Sequence, residues 1–511
     1  MIKKVGSTKF SFVNNEKPLC QIFKIEQFDF WLIFAPEMSW RHLTSAINTN
    51  SYYAQLKLFL APFYFFFKIF FPIGSLNKKK PFPTFNFKKT KKILCVALTQ
   101  RMFRDVLLPV IKELNHTDSY DIILVSDSID IETSNLISAK NINLLSFRDS
   151  WNPQLKKEEK NLKISISKLR SSLNIESGLG IVRPELSKEV YFSLKRVIDS
   201  LLQWHLPNIC RDAIKARYIF SKYKPDLILT ADTSDSRNRL FTFLAKEFNA
   251  LTVNVQFGLA GKESVEYRFH DVDYYCVWGE SSKQALINQK VPKSKILITG
   301  SPRHDFLYAI NNPYNISPLG AFKSSNIGMT VLLASTYTDK SHNKYADPSA
   351  LDSMKKAIIE TSKKFPNITL IIKTHPVESL KETKRLAGLS NNIFFANEDC
   401  DIRNLISMCN VFISFGSTAT IDALLAKKIV VCPIFPGWPF SDIFRCSKFI
   451  LTPRSTKEIN QIFSAISSGD LKKHYNGKNL SEHKAFLKSI IYKKDRLSAM
   501  RITKAIISLT L

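Results

Sequence analysis

No two of the eight cysteines (Cys20, Cys95, Cys210, Cys276, Cys400, Cys409, Cys432 and Cys446) stand in a Cys-x-x-Cys pair. That spacing excludes a zinc knuckle or a redox pair. Several of them lie inside apolar runs, where a thiol packs as a small hydrophobe, and the pattern fits a reducing cytosol. The amino-terminal MIKKVGSTKF lacks an apolar core segment and does not read as a secretory signal. No acidic residue occurs between Glu37 and Asp105. No short-period repeat is present.

What the chain has in abundance is length and positive charge. At 511 residues it is too long for one hydrophobic core, and two domains with extensions are expected. A hydrophobic content of 45% is that of a globular protein. The net charge of +29 calls for a polyanionic partner or surface: nucleic acid, an anionic membrane or a phosphorylated substrate. The basic residues are spread out and form no recognisable nucleic-acid module, so a nucleic-acid partner is not expected.

Residues 1–90 form an amino-terminal region of mixed character. Its most unusual stretch, Lys57 to Lys92, holds nine lysines among many phenylalanines. Pro62, Lys68 and Pro72 interrupt the Phe-rich part, which is short of the about 20 apolar residues that a spanning helix needs. The pattern suits an interfacial segment, with aromatics at the acyl boundary and Lys57, Lys68, Lys78, Lys79 and Lys80 on anionic headgroups. A segment docked on the protein's own surface is the alternative.

From Lys92 onward, short β-rich runs alternate with helical patterns: KILCVAL, YDIILVS, INLLSF, DLILTAD, LTVNVQFG, YYCVWG and KILITG. A turn-rich stretch, Asn311 to Gly320, separates them from a second series: MTVLLAS, ITLIIK, NIFFAN, VFISFG and IVVCPI. Such alternation predicts mostly parallel sheets covered by helices on both faces. Two domains follow, 91–315 and 321–511, the second ending in a basic helical tail. Ligands of doubly wound sheets bind beyond the carboxyl ends of the strands, and in a tandem pair the expected site is the cleft between the domains.

In the second domain those strand ends carry Ser335-Thr336, Thr374-His375-Pro376 and Gly416-Ser417-Thr418. Gly416 permits close backbone approach. Ser417 or Thr418 can cap the helix that follows, whose free N–H groups attract an anion. Asp422, one turn into that helix, has two readings: an acceptor for ribose hydroxyls, or an acid favoured by the helix dipole. His375 can donate to a leaving phosphate, or be a structural histidine bonded to a carbonyl.

The combination of IIKTHP, SFGSTATIDALLAKKIVV and the earlier TGSPRHD resembles bacterial surface-polysaccharide transferases of the GT-B fold. The nearest likenesses are the CDP-glycerol glycerophosphotransferases and the capsule or lipopolysaccharide glycosyltransferases. Bacterial sialyltransferases share a His-Pro and a later Ser-Ser or Ser-Thr motif. The resemblance covers roughly residues 225–450, about the length of two α/β domains. It implies two tandem Rossmann-like, doubly wound domains facing across a cleft, with the acceptor on the first and a CMP-, CDP- or UDP-linked donor on the second. Carried over, His375 and Pro376 match the first motif, Ser417 and Thr418 the second. Asp422 takes the place of the acid that grips the donor ribose. Gly300, Ser301, Pro302, Arg303 and Asp305 match a string at the end of the first domain.

One departure stands out. Many relatives carry Gln-His-Gly where this chain has Gln256-Phe257-Gly258. A catalytic base, if one is used, must then be another group. Asp232 and Asp235 are the candidates, with helix capping as the alternative for both. Arg303 either pins a phosphate or pairs with Asp305. His270 to Asp273 suggest a metal at first sight, but they precede a strand, and the resemblance implies no metal and no cofactor beyond the donor. The expected activity is transfer of a glycosyl or glycerophosphoryl group to a lipid-linked or growing envelope polysaccharide, at the cytoplasmic face of the plasma membrane. The competing readings are a sugar-nucleotide epimerase of the same fold and a degenerate GT-B protein that binds glycan without turnover.

Overall fold

The structure, a computed structural model, describes residues 80–127, 142–161, 206–307, 328–336 and 348–511 apart from short internal stretches, together with a two-stranded antiparallel pair, Lys24–Ile25 and Phe28–Asp29. Lys57, Lys68, Lys78, Lys79 and Pro376 lie outside the described residues. Among the described residues no helix is long and apolar enough to cross a membrane.

Two compact units are present. The first comprises residues up to Trp278, Ser282–Pro302 and Leu497–Leu511; the second comprises Gly279–Ser281 and Arg303–Arg496. The expected boundary at 321 therefore moves to Arg303. The last helix leaves the second unit as well, because its apolar face, Ala499, Ile502 and Ile506, completes a core of the first.

The strands of the first unit are β1 (Lys91–Val96), β2 (Tyr120–Ser126), β3 (Asn143–Ser146), β4 (Leu227–Thr230), β5 (Leu251–Val255), β6 (Tyr274–Val277) and β7 (Ile296–Ile298). They form one sheet, in the order β3-β2-β1-β4-β5-β6-β7. Every pairing is parallel. Near-continuous apolar runs such as ILCV and IILV suit strands covered on both faces. On one face Leu94, Val96, Ile123 and Val125 pack with helices α2 (Leu206–Tyr223) and α3 (Ser236–Ala245). On the other, Ile93, Cys95, Ile122 and Leu124 pack with α1 (Leu108–His116) and the last helix, α12 (Ser498–Thr510).

The phenylalanines at the end of the basic stretch are accounted for here. Phe82 is buried in the α2 face, and Phe85 and Phe87 pack against it, both close to the ring of Tyr223. This part of the expected interfacial segment is docked on the protein itself. Lys80 is held through its backbone to Asp149 and Trp151, with its side chain exposed.

The second unit holds β8 (Met329–Ala334), β9 (Ile368–Lys373), β10 (Ile393–Phe395), β11 (Val411–Ser414) and β12 (Ile429–Val431). Their order is β10-β9-β8-β11-β12, again all parallel. Helices α6 (Pro348–Lys363) and α10 (Thr456–Ser468) cover one face through Leu351, Ile358, Ile459 and Phe463. Helices α8 (Ile402–Met408) and α9 (Ala419–Leu425) contact each other and the strands β8, β11 and β12. In both sheets the strand order reverses once in space, between β1 and β4 and between β8 and β11. The ligand crevice of such a sheet lies at that reversal, outside the carboxyl ends of the strands.

Candidate functional site

In the second unit the two strands flanking the reversal are in register from Val331 opposite Val411 to Ala334 opposite Ser414. The residues next in sequence, Ser335-Thr336 and Phe415-Gly416-Ser417, therefore leave the sheet side by side. Gly416 has φ of +85°, a left-handed conformation that glycine adopts at no steric cost. Ser417 is exposed and Gly416 half-buried, so backbone and hydroxyl face outward. The N–H of Thr420 bonds back to the carbonyl of Ser417 at 3.0 Å, which starts α9. Thr418 makes no side-chain cap bond to that helix, contrary to the expected capping. Below the turn, Ser414 Oγ and Thr420 Oγ1 share a buried bond of 2.6 Å that fixes strand to helix.

His375 stands at the end of the neighbouring strand, β9, after the buried Thr374. A network unmarked by any motif fixes its backbone. Glu378 Oε2 accepts from the His375 N–H at 3.2 Å, and the Glu378 N–H donates to the His375 carbonyl at 2.8 Å. Glu378 Oε1 accepts from Ser335 Oγ at 2.8 Å, from Lys355 Nζ at 2.7 Å and from Thr383 Oγ1 at 3.1 Å. Lys355 Nζ also donates to the Thr336 carbonyl at 2.8 Å. Buried charge is tolerated when it is paired and its remaining hydrogen bonds are made. Here one Lys–Glu pair ties the ends of β8 and β9 into a single platform.

Asp422 and Arg303 are brought together, though in neither expected role. Asp422 is 0% exposed and Arg303 2% exposed. The guanidinium forks onto the carboxylate, Nε to Oδ1 at 3.3 Å and Nη2 to Oδ2. Asp422 thus gives both oxygens to a protein cation inside the unit, so it is not an exposed acceptor for ribose. Arg303 is paired with it across 119 residues of sequence. His304 lies beside the pair, Nε2 3.8 Å from Asp422 Oδ1. Burial, and after it Arg303, hold the His304 imidazole down at about 4 against the pull of Asp422. The rest of the string has a packing reason. Gly300 has φ of +85°, and an added Cβ would meet Ser498 Oγ at 2.5 Å on α12.

On the first sheet, Asp235 is the N-cap of α3: its Oδ1 accepts from the Arg237 N–H at 2.8 Å and from Arg237 Nε at 3.1 Å. The capping alternative describes this residue. Arg237 also reaches Asp127 beyond β2 and so crosses the carboxyl end of β1, at that sheet's reversal. Asp232 is buried, with Oδ1 accepting from the Asp235 N–H at 3.1 Å. Phe257, where relatives carry histidine, packs against the core between the sheet and α1. Its neighbour Gln256 joins β5 to β6, accepting from the Trp278 N–H at 2.9 Å. Asp273 accepts from the N–H and hydroxyl of Thr252 at 2.8 and 2.7 Å, at the opposite, amino-terminal end of β5.

Two half-buried acids escaped the sequence. Burial pushes Asp212 up to about 6, against the pull of Lys215 and Arg237. Burial pushes Glu266 up to about 7, opposed by its own backbone N–H and by Arg239, and Asp232 adds to the rise. Its Oε2 is buried without a hydrogen-bond partner. Because the folded pKa lies above the ordinary 4.5, the unfolded chain releases this proton first as pH rises. Stability is therefore lost progressively between about pH 4.5 and 7. Glu266→Gln is expected to abolish that part of the decline; urea melts at pH 5 and pH 8 check it, and an unchanged slope refutes it.

Residues 201–432 match the family profile of the CDP-glycerol:poly(glycerophosphate) glycerophosphotransferases. No curated protein matches the chain. Among solved structures it is similar to a putative UDP-N-acetylglucosamine 2-epimerase from Listeria monocytogenes, with 12% identity over 83% of this chain and 97% of that one, at a TM-score of 0.53. The Neisseria meningitidis UDP-GlcNAc 2-epimerase bound to UDP-GlcNAc gives 14% identity over 82% and 100%, at 0.52. The Methanocaldococcus jannaschii enzyme in complex with UDP-GlcNAc and UDP gives 13% over 82% and 99%, also at 0.52. At such identities the likeness establishes the fold. Two parallel, doubly wound sheets and these neighbours give the chain the GT-B fold, and its residues 201–432 resemble the glycerophosphotransferase family.

Proposed function

We propose that the protein transfers a glycosyl or glycerophosphoryl group from a CMP-, CDP- or UDP-linked donor to a lipid-linked or growing cell-envelope polysaccharide. The observation that carries the reading is the reversal point of the second sheet, where Ser335-Thr336 and Gly416-Ser417 leave adjacent strands with His375 one strand away. Backbone N–H groups and hydroxyls there suit the donor phosphates. His375 is placed to donate to the leaving phosphate. In glycosyl transfer the bond from the sugar carbon to the nucleotide oxygen breaks; in glycerophosphoryl transfer the phosphoanhydride P–O bond breaks. In both, the acceptor oxygen forms the new bond and its proton passes to a carboxylate, for which Asp232 is the candidate, since Asp235 is the N-cap of α3. The reading needs no metal and no cofactor beyond the donor, and it sets the protein peripherally at the cytoplasmic membrane face. The family profile favours transfer over epimerisation.

Ligand-observed NMR with CMP, CDP and UDP tests it. One nucleotide is expected to bind and to weaken at least tenfold in Gly416→Val, which both fills the turn and opposes its φ. Binding of none of the three overturns the reading.

A further inference from the structure

The basic carboxyl-terminal part of the chain is not absorbed by the donor site. Between Lys478 and Arg496 six basic residues stand against two acids, Glu482 and Asp495. In the second unit this segment, α11 (Lys478–Ile490) and the turn after it, meets the carboxyl end of α9, just before Lys427-Lys428. His483 Nε2 donates to the Leu424 carbonyl at 3.1 Å, which fastens α11 next to Lys427-Lys428. Lys427 has φ of +56°, and the side chains of Lys427, Lys484 and Lys494 are all exposed.

Lys494 lies within electrostatic reach of the other two. Partial burial, then Lys427, then Lys484 push Lys494 below its ordinary range. His483 is lowered by burial, then by Lys494 and Lys427, with only its bond to Leu424 opposing. No carboxylate is among these influences. A set of cations that repel each other costs stability in the free protein, and an anionic surface relieves it. In the same turn Tyr492 is one of the few large apolar side chains left open, 42% exposed, with Lys493 Nζ 5.1 Å from its ring centroid. An amphipathic ring among lysines is the combination that settles at a headgroup layer. A soluble polyanion would use the lysines and gain nothing from the ring.

We infer that Lys427, Lys484 and Lys494 with Tyr492 form a docking surface on the second unit for an anionic lipid bilayer. It rests on the peripheral-membrane part of the proposed function and is independent of residues 57–92. The loop carrying Lys427 precedes β12, so it lies at the amino-terminal edge of the sheet, away from Ser335, His375 and Gly416. Docking here leaves the donor crevice open.

The test is co-sedimentation of the full chain with phosphatidylcholine vesicles, with and without 30% phosphatidylglycerol as probe. Wild type is expected to bind only the anionic vesicles, and less at high salt. Changing Lys427, Lys484 and Lys494 together to Gln is expected to lower the partition coefficient roughly a hundredfold, at about fivefold for each lysine. Tyr492→Ser is expected to lower it several-fold. Melting temperature and nucleotide binding, measured on the same samples, should not move. Binding unchanged in both variants overturns the surface while leaving the transferase reading intact. Wild type that ignores anionic vesicles overturns the surface and the membrane location together. If soluble polyphosphate binds in a lysine-dependent way that Tyr492→Ser does not alter, while vesicles stay free, the partner is a polyanion and the inference fails. Loss of nucleotide binding in wild type sinks the transferase reading alone.

Discussion

Asp422→Ala is expected to destabilise the second unit by about 3–5 kcal/mol, the usual effect of removing one partner from a buried ion pair. The reason is geometric. Arg303 is buried with its guanidinium forked onto Asp422. Alanine would leave that cation out of water without the carboxylate it forks onto, and neutral His304 beside it supplies no charge in its place. The charge has no cheap exit, since arginine does not give up its proton at ordinary pH. Urea unfolding of the full chain, read by a probe in residues 303–496, measures the loss. The double variant Arg303→Met/Asp422→Leu should recover most of it, because an apolar pair of similar volume replaces a buried ion pair at little cost. A single variant within about 1 kcal/mol of wild type would show that the pair is not a stabilising element of this unit. If nucleotide affinity falls in the recovered double variant, Arg303 or Asp422 takes part in donor binding despite its burial.

The second large effect concerns turnover. His375→Ala should reduce kcat by about 10²–10⁴, the range for loss of a positioned acid or base, with stability changed little. The stability expectation follows from how the residue is held. Its N–H and carbonyl bond Glu378, and those backbone bonds survive the substitution. The imidazole itself is half-exposed and fills no core. Glu378→Gln makes the contrast. It keeps most acceptors but takes the close buried charge from Lys355, leaving only the exposed Asp352 at 3.9 Å, so it should lower stability and activity together. Release of nucleotide from the donor, followed by 31P NMR, reads the turnover. A fully active His375→Ala enzyme removes this side chain from the mechanism.

Most of the fold was legible because strand runs are local. ILCV, IILV, LILT, TLIIK and VFIS each report burial on both faces through composition alone, and their alternation with helices leaves few arrangements open. Helix α8 starts directly after Asp401, an N-cap of the residue type that sequence favours at a helix start. What stayed hidden depends on partners distant in the chain. Arg303 and Asp422 are 119 residues apart, and nothing around either residue announces the other. Lys355 looks like any lysine on a helix until Glu378 and the Thr336 carbonyl surround its ammonium. Gly300 reads as part of a motif, yet it is small because Ser498 occupies the space where a Cβ would stand. The phenylalanines after Lys80 were ambiguous for a related reason. Composition states that they avoid water, and only the fold decides whether lipid or Tyr223 receives them.

The return of α12 to the first unit bears on how the chain is made. Ile502 and Ile506 close a core begun by Ile93, Cys95 and Leu124 some four hundred residues earlier, and Arg501 Nε donates to the Thr299 carbonyl at 2.7 Å. Domains usually fold in order as they emerge from the ribosome. Here the second unit is synthesised whole while the first still lacks one wall of its interior. The amino-terminal half must therefore wait, with apolar surface open, for the last helix to leave the exit tunnel. A chain cut before Ser498 would keep Ser335, His375 and Gly416 and still carry a first unit with that face of its core open.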